Sequence, residues 1–211
     1  MKNKALLIVL IGVFGLFSVL AGCLNLEKNY PEKRYFTLDA SREKDVFPSD
    51  KGEVLTVRRF RVSPKYESKG LVYRLKEQNY EYDFYNELFI SPSSMFTEEI
   101  RKWLAVSGLF KHVVDPSSLV DSPYILEGAI TALYGDYRVS AAPKAVLEIQ
   151  FFLLHEIESN SKIIFQSQYH KEEPLNGNTP DALVKSWNSA LNQILTEFEA
   201  DLKVSVQKTK H

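Results

Sequence analysis

Residues 71–114, LVYRLKEQNYEYDFYNELFISPSSMFTEEIRKWLAVSGLFKHVV, change hydrophobic period part-way along, and that change decides the fold. Leu71–Leu75 and Tyr80–Tyr85 are short runs of strand-forming residues. Lys76-Glu77-Gln78-Asn79 between them suits a hairpin loop. From Ser91 the pattern turns helical. Ser91 stands at the N-cap and Pro92 in the first turn, and Met95, Phe96, Ile100, Trp103, Leu104 and Leu109 recur at steps of three to five. Gly108 reads as a left-handed stop, with Phe110–Val114 a strand after it.

Inside this stretch YEYDFYNE (80–87) mixes rings with carboxylates. A strand with side chains alternating between faces puts Tyr80, Tyr82 and Phe84 on one side, expected toward the core. It puts Glu81, Asp83 and Tyr85 on the other, toward solvent or a partner. A solvated polar face accounts for Glu81 and Asp83 without acid catalysis. Carboxylates between the rings would repel phosphates, which argues against nucleic-acid stacking. A core with polar rims and a protein-docking surface both remain open.

Working outward, Tyr35–Leu38, Glu53–Val62, Tyr124–Arg138, Ala145–Glu156 and Ile163–His170 read as further strands. Ile149–Leu154 is apolar on both faces, as in a central strand or an interface. A second helix begins at Thr179 (N-cap) and Pro180, with an apolar stripe from Leu183 to Leu202 over roughly six turns. The expected fold is α+β, an antiparallel or mixed sheet with two amphipathic helices packed on one face.

The N-terminus reads as an address. Lys2 and Lys4 precede an apolar run, Ala5–Ala21, that ends in Leu20-Ala21-Gly22-Cys23. Leu20, Ala21 and Gly22 ahead of Cys23 resemble a bacterial lipobox, which implies cleavage and acylation of Cys23. Leu24 stands where an inner-membrane retention Asp would be, which favours the outer membrane under the enteric sorting rule. The expected organisation is a signal peptide at 1–22, a lipidated tether at 23–33, one domain at 34–203 and a flexible tail at 204–211. Cys23 is the sole cysteine, so no disulfide forms within one chain.

Without Lys2 and Lys4 the chain carries 24 basic and 27 acidic side chains, which gives no electrostatic footprint for nucleic acid. His112, His155, His170 and His211 lack partners at metal-ligand spacing, no G-x-S-x-G elbow or phosphate loop occurs, and no cofactor is implied.

Several residues together resemble the ABC-type transport auxiliary lipoprotein family (PqiC/YmbA-like). They are Tyr73 and Arg74 in an apolar-Tyr-Arg strand, Tyr80 and Tyr82 in a Tyr-rich strand, and a helix led by Pro92 and carrying Trp103 and Leu104. A Gly108-Leu109-Phe110 turn completes the pattern. The sequence departs from the family at Leu88, where many members carry Trp, and at the single Pro92, where they carry Pro-Pro. The resemblance implies a non-enzymatic lipoprotein of an envelope phospholipid-transport system. Its partners would be an MCE-domain protein and, through it, an ABC permease and ATPase, with a homo-oligomeric ring as one assembly. An outer-membrane assembly factor that binds a β-barrel is a second reading, and a lipid-modifying surface enzyme a third.

Overall fold

The computed structural model describes residues 31–42, 52–157 and 160–209. Residues 33–211 fall in one compact unit. The lipobox and Cys23 lie outside the described residues, as does His211. The strands are β1 (Arg34–Phe36), β2 (Val54–Val57), β3 (Arg61–Val62), β4 (Gly70–Arg74), β5 (Tyr80–Leu88), β6 (His112–Val114), β7 (Tyr124–Asp136), β8 (Lys144–Ile157) and β9 (Asn160–Pro174). Helix α1 (Pro92–Ala105) sits between β5 and β6, and α2 (Pro180–Thr209) follows β9.

Strand β7 is the spine of the sheet. Along one edge it pairs antiparallel with β8, which pairs in turn with β9. Along the other edge it meets β2, β3 and β4 one after another, all parallel. Beyond these, β6 pairs parallel with β2, and β5 and then the edge strand β1 extend from β4. The sheet is therefore mixed, with two helices, as the sequence pattern implied.

The pattern of Glu53–Val62 predicts one strand, but pairing is interrupted between Val57 and Arg61. Phe60 causes the break. Its ring is fully buried and its N–H donates to Thr97 Oγ1 in α1 at 2.9 Å, so the backbone there serves α1 and not the ladder.

The helices form where their local signals predict. Ser91 Oγ accepts from Ser94 N–H at 3.3 Å, and Thr179 Oγ1 accepts from Ala182 N–H at 3.2 Å, each satisfying a donor that the first helical turn leaves free. Gly108 takes φ +73°, the left-handed stop expected of it. Helix α2 lays Leu183, Trp187, Leu191, Ile194, Leu195, Phe198 and Leu202 on the sheet, all essentially without solvent contact. Phe198 stacks on Phe151 of β8 at 4.0 Å, and Trp187 Nε1 donates to Val146 O at 3.3 Å. Each such apolar side chain contributes roughly 1.5–3 kcal/mol on burial. The stripe thus holds the helix down over its whole length.

Helix α2 also outruns its expected end. Val206 is buried and the helix continues to Thr209, so most of the segment expected as a flexible tail at 204–211 is helical. Tertiary burial at Val206 extends what polar local sequence would let fray.

Between the two helices runs the segment after β1. Leu38 N–H points at Met95 Sδ (3.2 Å), Asp39 N–H donates to Asn188 Oδ1 (3.0 Å), Ala40 N–H to Glu99 Oε2 (2.8 Å) and Ser41 N–H to Asn192 Oδ1 (3.1 Å). These backbone donors lack a strand partner, and polar side chains bordering the two apolar stripes supply acceptors instead. The strap ties the N-terminal edge to both helices.

Candidate docking surface

The YEYDFYNE stretch is not a regular strand. Gly70 pairs with Glu87 and Val72 with Tyr82, so two steps along β4 face five along β5, and the extra residues of β5 bulge outward. Asp83 organises the bulge. Its carboxylate accepts from Tyr85 N–H (2.9 Å), Asn86 N–H (2.9 Å), Asn86 Nδ2 (2.8 Å) and the Tyr73 hydroxyl (2.9 Å). Burial pushes the Asp83 carboxyl up, but these donors outweigh it and hold the group below the ordinary value. Burial, reinforced by the neighbouring Asp83 carboxylate, raises the Tyr73 hydroxyl far above the usual phenol range, so it stays a donor.

This overturns the alternating reading of the stretch. Tyr82 and Phe84, expected in the core, are 52% and 67% exposed. Asp83, expected to face a partner beside Glu81, is half-buried and turned onto its own loop; Tyr85 is half-buried too, and Glu81 is exposed. Slipping β5 past β4 rotates the side chains after Tyr82 out of register, and a one-residue slip already reverses the faces. Glu81, Asp83 and Tyr85 therefore do not form one surface.

Tyr80 does meet the core. Its ring lies edge-on to Tyr134 at 5.7 Å, and Tyr134 stacks on Tyr66 at 5.8 Å. Arg74 lies against Tyr80 and Tyr134, 5.5 and 5.9 Å from the ring centres, and donates to Glu77. Tyr73 packs edge-on to Tyr137 at 5.5 Å. Tyr73, Arg74 and Tyr80 thus close one end of the sheet.

The other family-pattern positions are structural. Pro92, Leu104 and Phe110 are buried, and Phe110 packs on Tyr124 at 6.0 Å. Trp103, 5% exposed, donates from Nε1 to Glu199 Oε2 at 2.7 Å and lies under the Arg42 guanidinium, which also pairs with Glu199. Sequence reasoning missed Glu199. Asn188, Asn192 and Glu199 lie four and then seven residues apart beside the stripe of α2, a pattern visible in the sequence but interpretable only once the strap is placed.

Of the two alternatives for Ile149–Leu154, the structure shows the central strand. It lies between β7 and β9, with β7 and β4 separating it from β5, and Ile149, Phe151 and Leu153 are buried. Gln150, Phe152 and Leu154 are half-buried on the opposite face.

At the β1–β5 edge several aromatic side chains reach solvent. Tyr35 and Phe89 meet edge-on at 6.2 Å, and Phe84 meets Tyr85 at 5.2 Å. Lys33 Nζ sits 4.4 Å from the Phe84 ring centre and pairs with Glu87, while Lys69 Nζ donates to Phe89 O at 3.1 Å. These two separate ring pairs lie along the β1–β5 edge.

One cluster of polar side chains lies on β7, β8 and β9. Thr131, Glu148 and His170 come together, but Thr131 Oγ1 donates to Glu148, and His170 meets Glu148 and Glu172 rather than a hydroxyl. A nucleophile needs its hydroxyl on the base. His155 stacks on Tyr124 at 4.8 Å, a sheet role, and His112 sits in β6. Among the described residues no group of three or more metal-ligating side chains converges.

Neither protein-family models nor curated proteins match the chain by sequence. Solved structures do match its fold. A Xanthomonas campestris protein of the DUF330 family aligns with a TM-score of 0.71 and 16% identity, over 84% of this chain and 98% of its own. DUF330 includes the PqiC/YmbA-like proteins. A second, uncharacterised protein aligns at 0.63 and 17% identity, over 81% and 99% of the two chains. A Chlamydia trachomatis hypothetical protein aligns at 0.50 and 12% identity, over 74% and 98%. The likeness covers nearly the whole of each neighbour and is one of fold, consistent with the resemblance drawn from residues 71–114.

Proposed function

We propose that this chain is a non-catalytic lipoprotein of the bacterial envelope, held on the periplasmic side of the outer membrane by acylated Cys23, which docks other subunits of an MCE/ABC-type phospholipid-transport system. The observation that carries the reading is the conjunction of two features. The sequence has the Leu20-Ala21-Gly22-Cys23 order, and its fold aligns with almost the full length of a DUF330 protein. In this scheme an MCE-domain protein binds the folded domain, the ABC ATPase supplies energy, and the domain holds the assembly at the membrane. Several copies arranged as a homo-oligomeric ring would present the docking face repeatedly.

The test is affinity capture of the tagged, acylated protein from crosslinked, detergent-solubilised envelopes. The reading expects an MCE-domain protein and, through it, the permease and ATPase. Capture of a β-barrel without any MCE-domain protein would instead support the assembly-factor reading.

A further inference from the structure

Tyr35, Tyr82, Phe84 and Phe89 are each more than half exposed, and Ile90 beside them is 39% exposed. Isolated exposed rings are ordinary, but several along one sheet edge mark a surface that meets something apolar. The charges around the group are arranged unevenly. Asp83 is turned inward onto its own loop, Glu87 and Lys33 neutralise each other, and Glu81 is the exposed carboxylate beside Tyr82. Lys33 and Lys69 stay at the rim, one over the Phe84 ring and one on the Phe89 carbonyl.

The position of the patch relative to the chain's start says what covers it. Cys23 and Lys33 are ten residue steps apart. Fully extended they span at most about 35 Å, since a chain covers 3.3–3.6 Å per residue. Tyr35 follows two residues after Lys33, so the aromatic edge begins where the tether ends. A tether this short keeps the patch at millimolar effective concentration near the surface that holds the acyl chains, so even weak contacts are populated. The composition also favours lipid over protein. Rings with lysines at their margin suit the headgroup boundary, where aromatic bodies enter the apolar zone and lysine heads stay in water.

We propose that the rings of Tyr35, Phe84 and Phe89 seat in the headgroup–acyl boundary of the membrane that holds Cys23, which makes the β1–β5 edge the membrane-facing side of the domain. This rests on the lipoprotein reading above. The fold then stands on its β1 edge, with the strap and helices oriented by that contact and not left to swing on the tether.

The test uses the full mature, acylated chain carrying Phe84→Trp, reconstituted in phosphatidylethanolamine–phosphatidylglycerol vesicles with or without bromine on the acyl chains. Native Trp103 and Trp187 are buried and give a constant background. The control is Leu119→Trp, in a fully exposed loop after β6 at the other end of the strand order. The expected result is a blue shift and bromolipid quenching for the indole introduced by Phe84→Trp, and neither for the Leu119→Trp control. Equal emission of the Phe84→Trp chain in both vesicle types would overturn the proposal. So would an introduced indole already shielded in detergent, accompanied by Phe84→Cys crosslinks between copies, because the patch would then be a self-association face. Mass spectrometry of Cys23 separates the two levels. An unacylated cysteine removes the lipoprotein reading and the proposal together, whereas an acylated Phe84→Trp chain whose emission is unquenched removes only the proposal.

Discussion

Asp83 accepts four hydrogen bonds, two of them from side chains of other residues, Tyr73 and Asn86. Removing a donor from a half-buried carboxylate costs about 1.5–3 kcal/mol. Tyr73→Phe should therefore destabilise the protein by that order in urea unfolding at pH 7. Asp83→Asn should cost a comparable amount. The folded-state pKa of Asp83 is depressed, so its contribution is present above the unfolded value near pH 4 and is lost as pH falls through the folded one. The gap in unfolding midpoint between wild type and Asp83→Asn should accordingly shrink from pH 7 to pH 3; a constant gap would mean that the carboxylate's charge does not matter. Sequence alternation assigned Asp83 to solvent because the bulge depends on how β4 and β5 slip past each other. That slip is a property of two strands, and no pattern in one of them carries it.

Local chemistry governs both helix starts, and a more distant contact governs the end of α2. Ser91 and Thr179 cap their helices with their own side chains, so both starts are readable from four consecutive residues. Ser91→Ala should lower stability by about 1 kcal/mol, read as a shift in the denaturant midpoint with unchanged slope. The C-terminus of α2 depends on Val206 finding burial; Val206 continues the stripe four residues after Leu202, but one apolar residue among polar ones does not by itself announce a helix end. On β7, Gly128 shows the same dependence more severely. A Cβ there would stand 2.1 Å from Gln150 O and 2.4 Å from Phe60 Cε1. Gly128→Ala should abolish soluble folded protein, as judged by circular dichroism. Adding Phe60→Leu should not rescue it, because the backbone oxygen of β8 cannot move without breaking the β7–β8 ladder.

At the scale of the whole molecule, the strap and Glu199 join parts of the chain far apart in sequence. Glu199 binds Trp103 from α1 and Arg42 from the strap. Glu199→Ala should leave the buried Trp103 N–H without this acceptor, costing roughly 1–3 kcal/mol. The same change should increase hydrogen exchange in residues 38–42 more than in β7 or β8; uniform exchange would mean that the strap is not held there. If the domain meets the membrane along β1, the strap also carries that orientation to the helices, because β1 runs straight into it. MCE-protein capture should then survive Glu199→Ala only where the domain stays folded, which a thermal melt on the captured material checks.

Periodicity, caps and turn residues by themselves determined the α+β class, both helix starts, the glycine stop at 108 and most of the strands. Each of these follows from interactions within a few residues, which a linear pattern records. The lipobox expected at 20–23 is likewise read from a local signal, on residues outside those described. Only the tertiary structure decided that β7 takes three short parallel partners on one edge. It alone decided that Ile149–Leu154 is internal and that the strap lies between the helices. It also turned Asp83 inward while exposing Tyr82 and Phe84. These depend on register and burial between segments separated by many residues, where the energy comes from surfaces that meet only after the chain has folded.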